Sequence, residues 1–456
     1  MRAGVRAAVR DGVWVTGIGL VSPIGAGRVT FWAGALAGRR GFAPVTRFDP
    51  RPYGLDSAYA VPSGAVGARR GAGARGGGRD GPHEGPHEEP RVVALLLAAG
   101  RQALADAGLA RRPRGPAATR CAVVAATGIG ASQAHEATAR SWHAAGQATG
   151  ATGHAPGGSP VAAGARLGGT LPGDLAPTLA LAAGFAGPVL TLPVACAAGG
   201  FAIAAGFDLV RAGRADVVLA GGVDELSEVA MCGFSRLASL DPAGCRPFDR
   251  DRRGIGVGEG AAVLVLERAT TAAARGARPV AAVLGYGLSA DAHHITAPDP
   301  SGAGIVHAMR RALDDAGVTP ADVGCVSAHG TGTPAGDRVE AEALAACFGA
   351  RAGALPVTSI KGAIGHTGGA AAAFGAAVAA LALAGGLVPP CAGTRVPDPS
   401  LGVNVVVERP QAVAGRVAIV NAFAFGGSNI SLVLGACRGP DGGGGGQGAG
   451  GGWPWV

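Results

Sequence analysis

Short apolar runs bounded by glycine and proline alternate along the chain with longer amphipathic or alanine-rich segments. The first kind of segment predicts buried strands, and the second predicts helices. Two successive series of such segments indicate a layered α/β protein built from two similar halves. Strands are predicted at 13–21, 120–127, 188–195, 216–222 and 261–266, then at 280–287, 322–327, 356–359, near 405 and at 417–420. Helices are predicted at 92–108, 197–213, 305–316, 337–348 and after 368.

The same pattern divides the chain into three parts. An N-terminal half at 12–270 and a C-terminal half at 271–436 carry the periodic segments, whereas the tail at 437–456 is Gly-rich and is expected to be disordered. Within the N-terminal half, residues 64–90 lose periodicity, and their Gly and Pro content favours a flexible insertion over a helix.

Two uncharged stretches, 175–207 and 362–394, have the length of a membrane span. They are built on Ala and Gly rather than on Leu and Phe, and prolines at 188, 193, 389 and 390 interrupt or end them. We therefore expect buried strands and helices of a large core at both places, and no membrane partner.

Composition adds one unusual feature. The chain has 82 Gly and 31 Pro among 456 residues, yet 48% of its residues are hydrophobic, as in packed globular proteins. Of its 39 basic residues, 38 are Arg and one is Lys, Lys361. A lysine kept where arginine is otherwise used indicates a position that requires a compact ammonium group.

The eight cysteines form no C-x-x-C pair, so neither a zinc ribbon nor a redox motif is supported and no metal site is expected. The first ten residues are not followed by an apolar segment of secretory type. We therefore expect a cytoplasmic protein with reduced thiols.

The formal net charge of +8 is a local feature of the chain. Residues 1–120 contain 18 basic and 8 acidic residues (+10), and residues 121–456 contain 21 basic and 23 acidic residues (−2). With one Lys and 4% aromatic residues, a base-stacking groove is not expected, and nucleic acid is excluded as a partner. The basic excess is a solvated loop or a docking surface for an acidic partner protein.

Candidate chemistry lies at four positions. Cys196 stands between a predicted buried strand and a predicted helix, where the helix dipole favours a thiolate. His329 follows the strand at 322–327, and His366 lies five residues beyond Lys361, after the strand at 356–359. Small residues after the carboxyl ends of strands are typical of ligand sites in α/β sheets. A lone buried Cys is more often a core residue, but the two histidines and the single lysine favour function.

The segments VACAAGGF, HGTGTPAGD, SIKGAIGHTGG and NAFAFGGSN, in this order, resemble the signature blocks of β-ketoacyl-acyl-carrier-protein synthases, the elongating type of the thiolase superfamily. The resemblance spans about residues 12–436. It implies a thiolase-like fold, in which two βαβαβ halves form a five-layer α-β-α-β-α core, and a dimer.

The resemblance also implies roles for individual residues. Cys196 would accept the acyl chain, and His329 and His366 would act on the malonyl thioester beside Lys361. The backbone N–H groups of Cys196 and Phe425 would form an oxyanion hole. Further implied roles are a gating loop with Phe423 and Phe425, a partner of Lys361 at Glu340, and contacts to the phosphopantetheine arm from Thr331 and Thr333. No separate cofactor and no metal is implied, because an acyl carrier protein delivers the substrates on its phosphopantetheine.

The implied activity is the decarboxylative Claisen condensation of malonyl-carrier protein with the chain on Cys196. The atypical segment 64–90 favours a type II polyketide pathway, with a housekeeping fatty-acid-elongating synthase as the alternative. A non-catalytic chain-length-factor subunit is a weaker alternative, because such subunits typically lack the nucleophilic cysteine. Homodimer and heterodimer with a homologous subunit both stay open.

Overall fold

The computed structural model describes Val9 and residues 12–65, 89–148 and 171–437. Most of the predicted insertion at 64–90, and the predicted tail after its first residue, lie outside the described residues. The strands are β1 Val13–Ser22, β2 Gly25–Ala26, β3 Ala43–Pro44, β4 Ser57–Ala58, β5 Cys121–Ala126, β6 Val189–Leu192, β7 Val217–Asp224, β8 Gly260–Arg268, β9 Ala281–Ala290, β10 Val323–Ser327, β11 Pro356–Thr358, β12 Leu387–Val388, β13 Asn404–Val405, β14 Gln411–Ala412, β15 Val417–Phe423 and β16 Ser428–Gly435.

The α-helices are short to medium in length. They are α1 Arg28–Leu36, α2 Arg91–Asp106, α3 Pro116–Thr119, α4 Ser132–Ala148, α5 Leu175–Ala183, α6 Ala198–Arg211, α7 Glu228–Arg236, α8 Ala269–Ala274, α9 Ala303–Asp315, α10 Pro334–Phe348, α11 Lys361–Ile364 and α12 Ala371–Gly385.

The strand order shows the predicted duplication. The N-terminal half has the order β6-β5-β7-β8-β1, and the C-terminal half has the order β11-β10-β15-β16-β9. When the two-residue strands are left out, this is the third, second, fourth, fifth and first strand of each half along the chain. The strands β5, β6 and β7 are parallel, as are β10, β11 and β15, and the fourth strand pairs antiparallel with the fifth in both halves. The prediction of two similar α/β halves is therefore confirmed.

The two half-sheets are joined by hydrogen bonds. The first residues of β1 pair with β9 in the register Val13↔Val283 to Val15↔Ala281, so the strands form one continuous twelve-stranded sheet. Helices α6 and α12 pack on each other between the two half-sheets. Helices α2 and α5 cover the outer face of the N-terminal half, and α9 covers that of the C-terminal half with α10 packed beside it. The layers are thus α-β-α-β-α.

Small residues allow the two central helices to lie close together. A Cβ on Gly199 of α6 would lie 2.8 Å from the Gly369 carbonyl oxygen and 2.9 Å from the Ala373 nitrogen, so only glycine fits there. The helical stretch Gly368–Gly385 is long and apolar enough to cross a membrane, but 83% of it is buried inside the protein. It is therefore a core helix, as predicted for the stretch 362–394.

The structure also contains elements that the sequence pattern did not predict. The final strand β16 pairs with both β15 and β9, and the helix α4 was not predicted either. The helix α5 was not predicted, because it lies in an apolar stretch of uniform composition where hydrophobic periodicity does not distinguish a helix from a strand.

Candidate active site

Cys196 lies at the turn between β6 and α6. It belongs to a single 3₁₀ turn, Ala195–Ala197, and the preceding Ala195 has a positive φ of 42°, a conformation that is strained for any residue with a Cβ. Burial dominates the environment of the Cys196 thiol and raises its pKa to about 11, whereas Lys361 and the backbone N–H groups of Phe425 and of Cys196 itself act to lower it. Desolvation therefore outweighs the helix dipole that was expected to favour a thiolate.

His329 and His366 face each other. Their ring centroids are 5.9 Å apart, and the planes are almost perpendicular. Nδ1 of His329 accepts a hydrogen bond of 3.3 Å from the Phe423 N–H, and Nδ1 of His366 accepts one of 3.2 Å from the Gly368 N–H. Because a backbone N–H only donates, both Nδ1 atoms are unprotonated, and each neutral ring carries its proton on Nε2.

Electrostatics keep both imidazoles neutral. Burial and the nearby Lys361 lower the pKa of His366 to about 3. Burial, Lys361 and His366 together lower the pKa of His329 well below its usual value. At neutral pH the two rings are therefore paired hydrogen-bond donors through Nε2–H.

Lys361 is buried beside the two histidines. Its Nζ donates a hydrogen bond to the backbone carbonyl of His329. Burial lowers the pKa of Lys361, whereas the surrounding Cys245, Glu340 and Cys196 oppose that shift. The single lysine of the sequence thus lies in the same buried site as the Cys196 thiol.

The expected pairing of Glu340 with Lys361 is not what the structure contains. The two carboxylate oxygens of Glu340 accept hydrogen bonds of 2.8 Å from the backbone N–H groups of His329 and Gly330, and Asn421 donates to it at 3.3 Å. Glu340 and Lys361 therefore bind the N–H and the C=O of the same residue, His329. Glu340 positions the histidine backbone rather than the lysine, and burial raises the pKa of its carboxyl to about 7.

Thr331 and Thr333 extend the site from His329. Their hydroxyl oxygens are 2.9 Å apart, and Asp337 accepts hydrogen bonds from the N–H groups of Thr331 and Gly332. Gly332 has a φ of +80°, and a Cβ there would lie 2.8 Å from the Gly254 carbonyl oxygen. The loop is therefore held closely against the segment around Gly254, with the two hydroxyls adjacent.

Aromatic side chains surround the histidines. The Phe423 ring lies 5.3 Å from that of His329, and the Phe425 ring, 40% of which is exposed, lies 6.0 Å from Phe234. Phe234 in turn lies 6.3 Å from His366. Phe234 was missed by sequence reasoning, because its helix α7 was not predicted. A partly exposed apolar wall thus connects the histidines to the surface.

Asp224, at the end of β7, was also missed. It accepts hydrogen bonds from the Thr127 hydroxyl and from the N–H groups of Gly128, Ile129 and Gly369. Burial raises the pKa of Asp224 to about 6. This carboxyl joins the ends of β5 and β7 to the turn Gly368–Ala370, which supplies the Nδ1 partner of His366. The feature of the sequence that could have identified Asp224 is an acidic residue at the end of a predicted strand.

No group of three or more His, Cys, Asp or Glu side chains in the described ranges is arranged to hold a metal ion. An open cavity of about 540 Å³ lies elsewhere, beside Arg211, Tyr286 and Arg311, at the end of α6 opposite to Cys196. The candidate site is accordingly defined by its buried side chains and not by a wide cavity.

Comparisons with known proteins agree with this geometry. The family profile described as Beta-ketoacyl synthase, N-terminal domain, matches residues 10–272, and that described as Beta-ketoacyl synthase, C-terminal domain, matches residues 280–395. The chain is 34% identical over 428 residues to 3-oxoacyl-[acyl-carrier-protein] synthase 2 of Staphylococcus aureus, with 92% of this chain and 97% of the relative covered.

Solved structures are similar over most of the chain. The ishigamide ketosynthase/chain length factor has a TM-score of 0.80 and 35% identity, covering 94% of this chain and 100% of its own. A second similar structure is a type II polyketide synthase ketosynthase in complex with its acyl-carrier protein and bound to the hexaketide. Its TM-score is 0.80 and its identity is 25%, and it also covers 94% of this chain and 100% of its own. The chain belongs to the β-ketoacyl synthase family, and its fold is the thiolase-like fold of ketosynthases. It is an acyltransferase of the 3-oxoacyl synthase class.

Proposed function

We propose that this chain condenses an acyl group held on Cys196 with a malonyl group delivered by an acyl carrier protein, with loss of CO2. The observation that carries the proposal is the arrangement around Cys196: a buried thiol, the buried Lys361 that acts on its pKa, and two neutral imidazoles whose ring centroids are 5.9 Å apart. These groups fit an acyl transfer and a decarboxylation, and need no separate cofactor.

In the first step the Cys196 sulfur attacks the carbonyl carbon of the incoming acyl thioester. A new C–S bond forms, the bond to the phosphopantetheine sulfur breaks, and the thiol proton leaves with the released carrier thiol. The N–H groups of Cys196 and Phe425 are placed to stabilise the oxyanion that forms on the carbonyl oxygen. Because the pKa of the thiol is about 11, the thiolate is a minor species at neutral pH, and the thiol proton has to be removed as the sulfur attacks.

In the second step the C–C bond between the malonyl carboxylate and its α-carbon breaks. CO2 leaves, and the electron pair forms an enolate on the thioester. His329 and His366 donate their Nε2–H groups to the enolate oxygen, which lowers the energy of the developing charge. The α-carbon then attacks the Cys196 thioester, the sulfur is released, and the β-ketoacyl chain is two carbons longer.

Thr331 and Thr333 are proposed to bind the phosphopantetheine arm through their adjacent hydroxyls. Phe423 and Phe425 are proposed to form the gating loop, because Phe425 is partly exposed while its N–H acts on the pKa of the Cys196 thiol. Arginines at 69–79, in the basic N-terminal part of the chain, lie outside the described residues. Those at 111–114 precede β5, at the opposite end of that strand from Thr127 and the site, and so are poor candidates for carrier docking.

We assign the activity to a type II polyketide pathway, with fatty-acid elongation as the second candidate. The similarity to the ishigamide ketosynthase/chain length factor supports the first, and the similarity to 3-oxoacyl-[acyl-carrier-protein] synthase 2 supports the second. Cys196, His329 and His366 are all present, which argues against a non-catalytic chain-length-factor subunit. All eight cysteines are free thiols, in keeping with a cytoplasmic protein.

The proposed partner subunit would pair along β6. This strand lies at the edge of the sheet, Leu190 within it is 42% exposed, and Leu181 of the neighbouring α5 is 77% exposed. An unpaired apolar edge strand is a template for a second chain. The mass of the purified chain in solution tests this: a dimer supports self-pairing, and a monomer that dimerises only with a homologous subunit supports the heterodimer.

Mass spectrometry of the acyl-enzyme tests the function. Incubation with acyl-loaded carrier protein is expected to add one acyl mass to Cys196, and Cys196→Ala is expected to abolish both the adduct and β-ketoacyl product. Cys232→Ala removes an exposed thiol and is the matched control, expected to change neither. Product formation by Cys196→Ala at the wild-type rate would exclude the assignment.

A further inference from the structure

Tyr59 occupies a space left by three glycines. Its side chain is fully buried, and a Cβ on Gly244 would lie 2.7 Å from its hydroxyl oxygen. A Cβ on Gly256 or on Gly365 would lie 2.5 Å from its ring. Gly365 directly precedes His366, so the ring packs against the backbone that carries this histidine. Any larger residue at these glycines would displace Tyr59.

The Tyr59 hydroxyl also contacts the one-turn helix α11, which begins at Lys361. The last carbonyl groups of a helix have no partner within it, and here the N-terminal half supplies them. The Tyr59 hydroxyl donates to the Gly362 carbonyl at 3.3 Å, and Arg40 Nε donates to the same oxygen at 3.4 Å. The Gly41 N–H donates to the next carbonyl, that of Ala363, at 2.8 Å.

The Tyr59 main chain reaches His366 by a second route. The Tyr59 N–H donates to the Val257 carbonyl, and the Glu259 N–H donates to the Tyr59 carbonyl, both at 3.0 Å. The same strip of chain binds His366, because the His366 N–H donates to Gly256 at 2.7 Å and the Gly258 N–H donates to His366 at 3.0 Å. Tyr59 therefore contacts the start of the turn 361–366 through its hydroxyl and the end of it through its ring and backbone.

We propose that Tyr59 is a positioning residue for the decarboxylation step, and that it sets the separation of Lys361 and His366. Arg40 supports it: Nη2 donates to the Tyr59 hydroxyl at 2.9 Å, and the guanidinium lies 6.0 Å from the ring centroid. The proposal rests on the function proposed above, and adds to it a residue of the N-terminal half that touches neither substrate nor the reacting atoms.

The two half-reactions separate a positioning role from a general structural one. Tyr59→Phe keeps the ring and removes only the hydroxyl. We expect kcat for CO2 release from malonyl-carrier protein to fall about fivefold, as for the loss of one buried hydrogen bond, with KM changed less than about twofold. The rate of Cys196 acylation is expected to stay unchanged. Tyr53→Phe is the matched control, because this half-buried hydroxyl lies 3.5 Å from Glu228 and is expected to affect neither rate.

A second variant tests the role of Arg40, which shares the Gly362 carbonyl with Tyr59 as a hydrogen-bond acceptor. Arg40→Lys is expected to slow decarboxylation as well, and the effect of the double variant to differ from the product of the two single effects, because the two groups share the Gly362 carbonyl and Arg40 also donates to the Tyr59 hydroxyl. Additive losses, an equal loss in both half-reactions, or no loss in Tyr59→Phe would overturn the proposal. A wild-type chain that neither acylates Cys196 nor releases CO2 would overturn the proposed function and this inference together, so the two failures are distinguishable.

Discussion

The two halves of the molecule share one strand order but present different chemistry at equivalent positions. The third strand of the N-terminal half, β6, leads into Cys196, whereas its counterpart β11 leads into Lys361 and then His366. The second strand, β5, leads into Thr127, whereas its counterpart β10 leads into His329. The N-terminal half therefore carries the cysteine of the candidate site, and the C-terminal half carries the two imidazoles and the lysine.

Burial acts on the two sets of groups in one direction, towards the neutral form. It raises the pKa of Cys196 to about 11 and lowers the pKa of His366 to about 3. In the N-terminal half this opposes the reactive form of the thiol. In the C-terminal half it maintains the donating form of the rings. The same dry interior of the duplicated scaffold therefore disfavours the thiolate needed for acylation of Cys196 and maintains the neutral rings that donate in decarboxylation.

The largest effect is expected from a mutation that slows one half-reaction and leaves the other nearly unchanged. His366→Ala is expected to lower CO2 release from malonyl-carrier protein ~10³-fold or more while leaving acylation of Cys196 within about threefold. Mass spectrometry of the acyl-enzyme and a CO2 assay measure the two rates. The control is His307→Ala, an exposed histidine on α9. Parallel loss of both rates would contradict the division of labour.

A smaller effect than that of His366→Ala is expected in the way the rates of the two half-reactions depend on pH. A thiol with a pKa of about 11 reacts through a thiolate whose fraction rises about tenfold per pH unit below that value, so acylation should accelerate from pH 6 to 8. Both histidines have pKa values below their usual range and stay neutral over this interval, so any change in decarboxylation is expected to follow Glu340, whose carboxyl has a pKa of about 7. A midpoint near the ordinary histidine pKa of about 6.5 that persists in Glu340→Gln would show that the rings titrate normally.

The smallest effect concerns the support of His329. Glu340→Gln replaces one accepting oxygen by an NH2 group that faces a backbone N–H, and should slow decarboxylation about tenfold through displacement of His329. Glu342→Gln, an exposed residue on the same helix, serves as the control. If Glu340 instead acted as the direct partner of Lys361, the variant would change the pH profile of the lysine and not the rate at neutral pH.

Local patterns in the sequence were sufficient for some of these features. The alternation of apolar runs and helices predicted the two halves, and the small residues around Cys196, His329 and His366 marked strand ends. The features that could not be predicted depend on contacts between residues that are far apart in the sequence. Glu340 was assigned to the only nearby cation, but its partners are backbone N–H groups, which leave no mark in sequence. Tyr59 likewise resembles any core aromatic until the three glycines around it are seen together.

The pairing of β1 has a consequence for synthesis of the chain. This first strand has β8 on one side and β9 on the other, so its two neighbours are made at the end of the N-terminal half and the start of the C-terminal half. Apart from its last two residues, which pair with β2, the strand therefore has neither of its neighbours in the sheet until β8 and β9 have been translated. Folding of the first half cannot be completed on its own, and a truncated product ending at residue 270 would expose β1 as an open edge to chaperones and to aggregation.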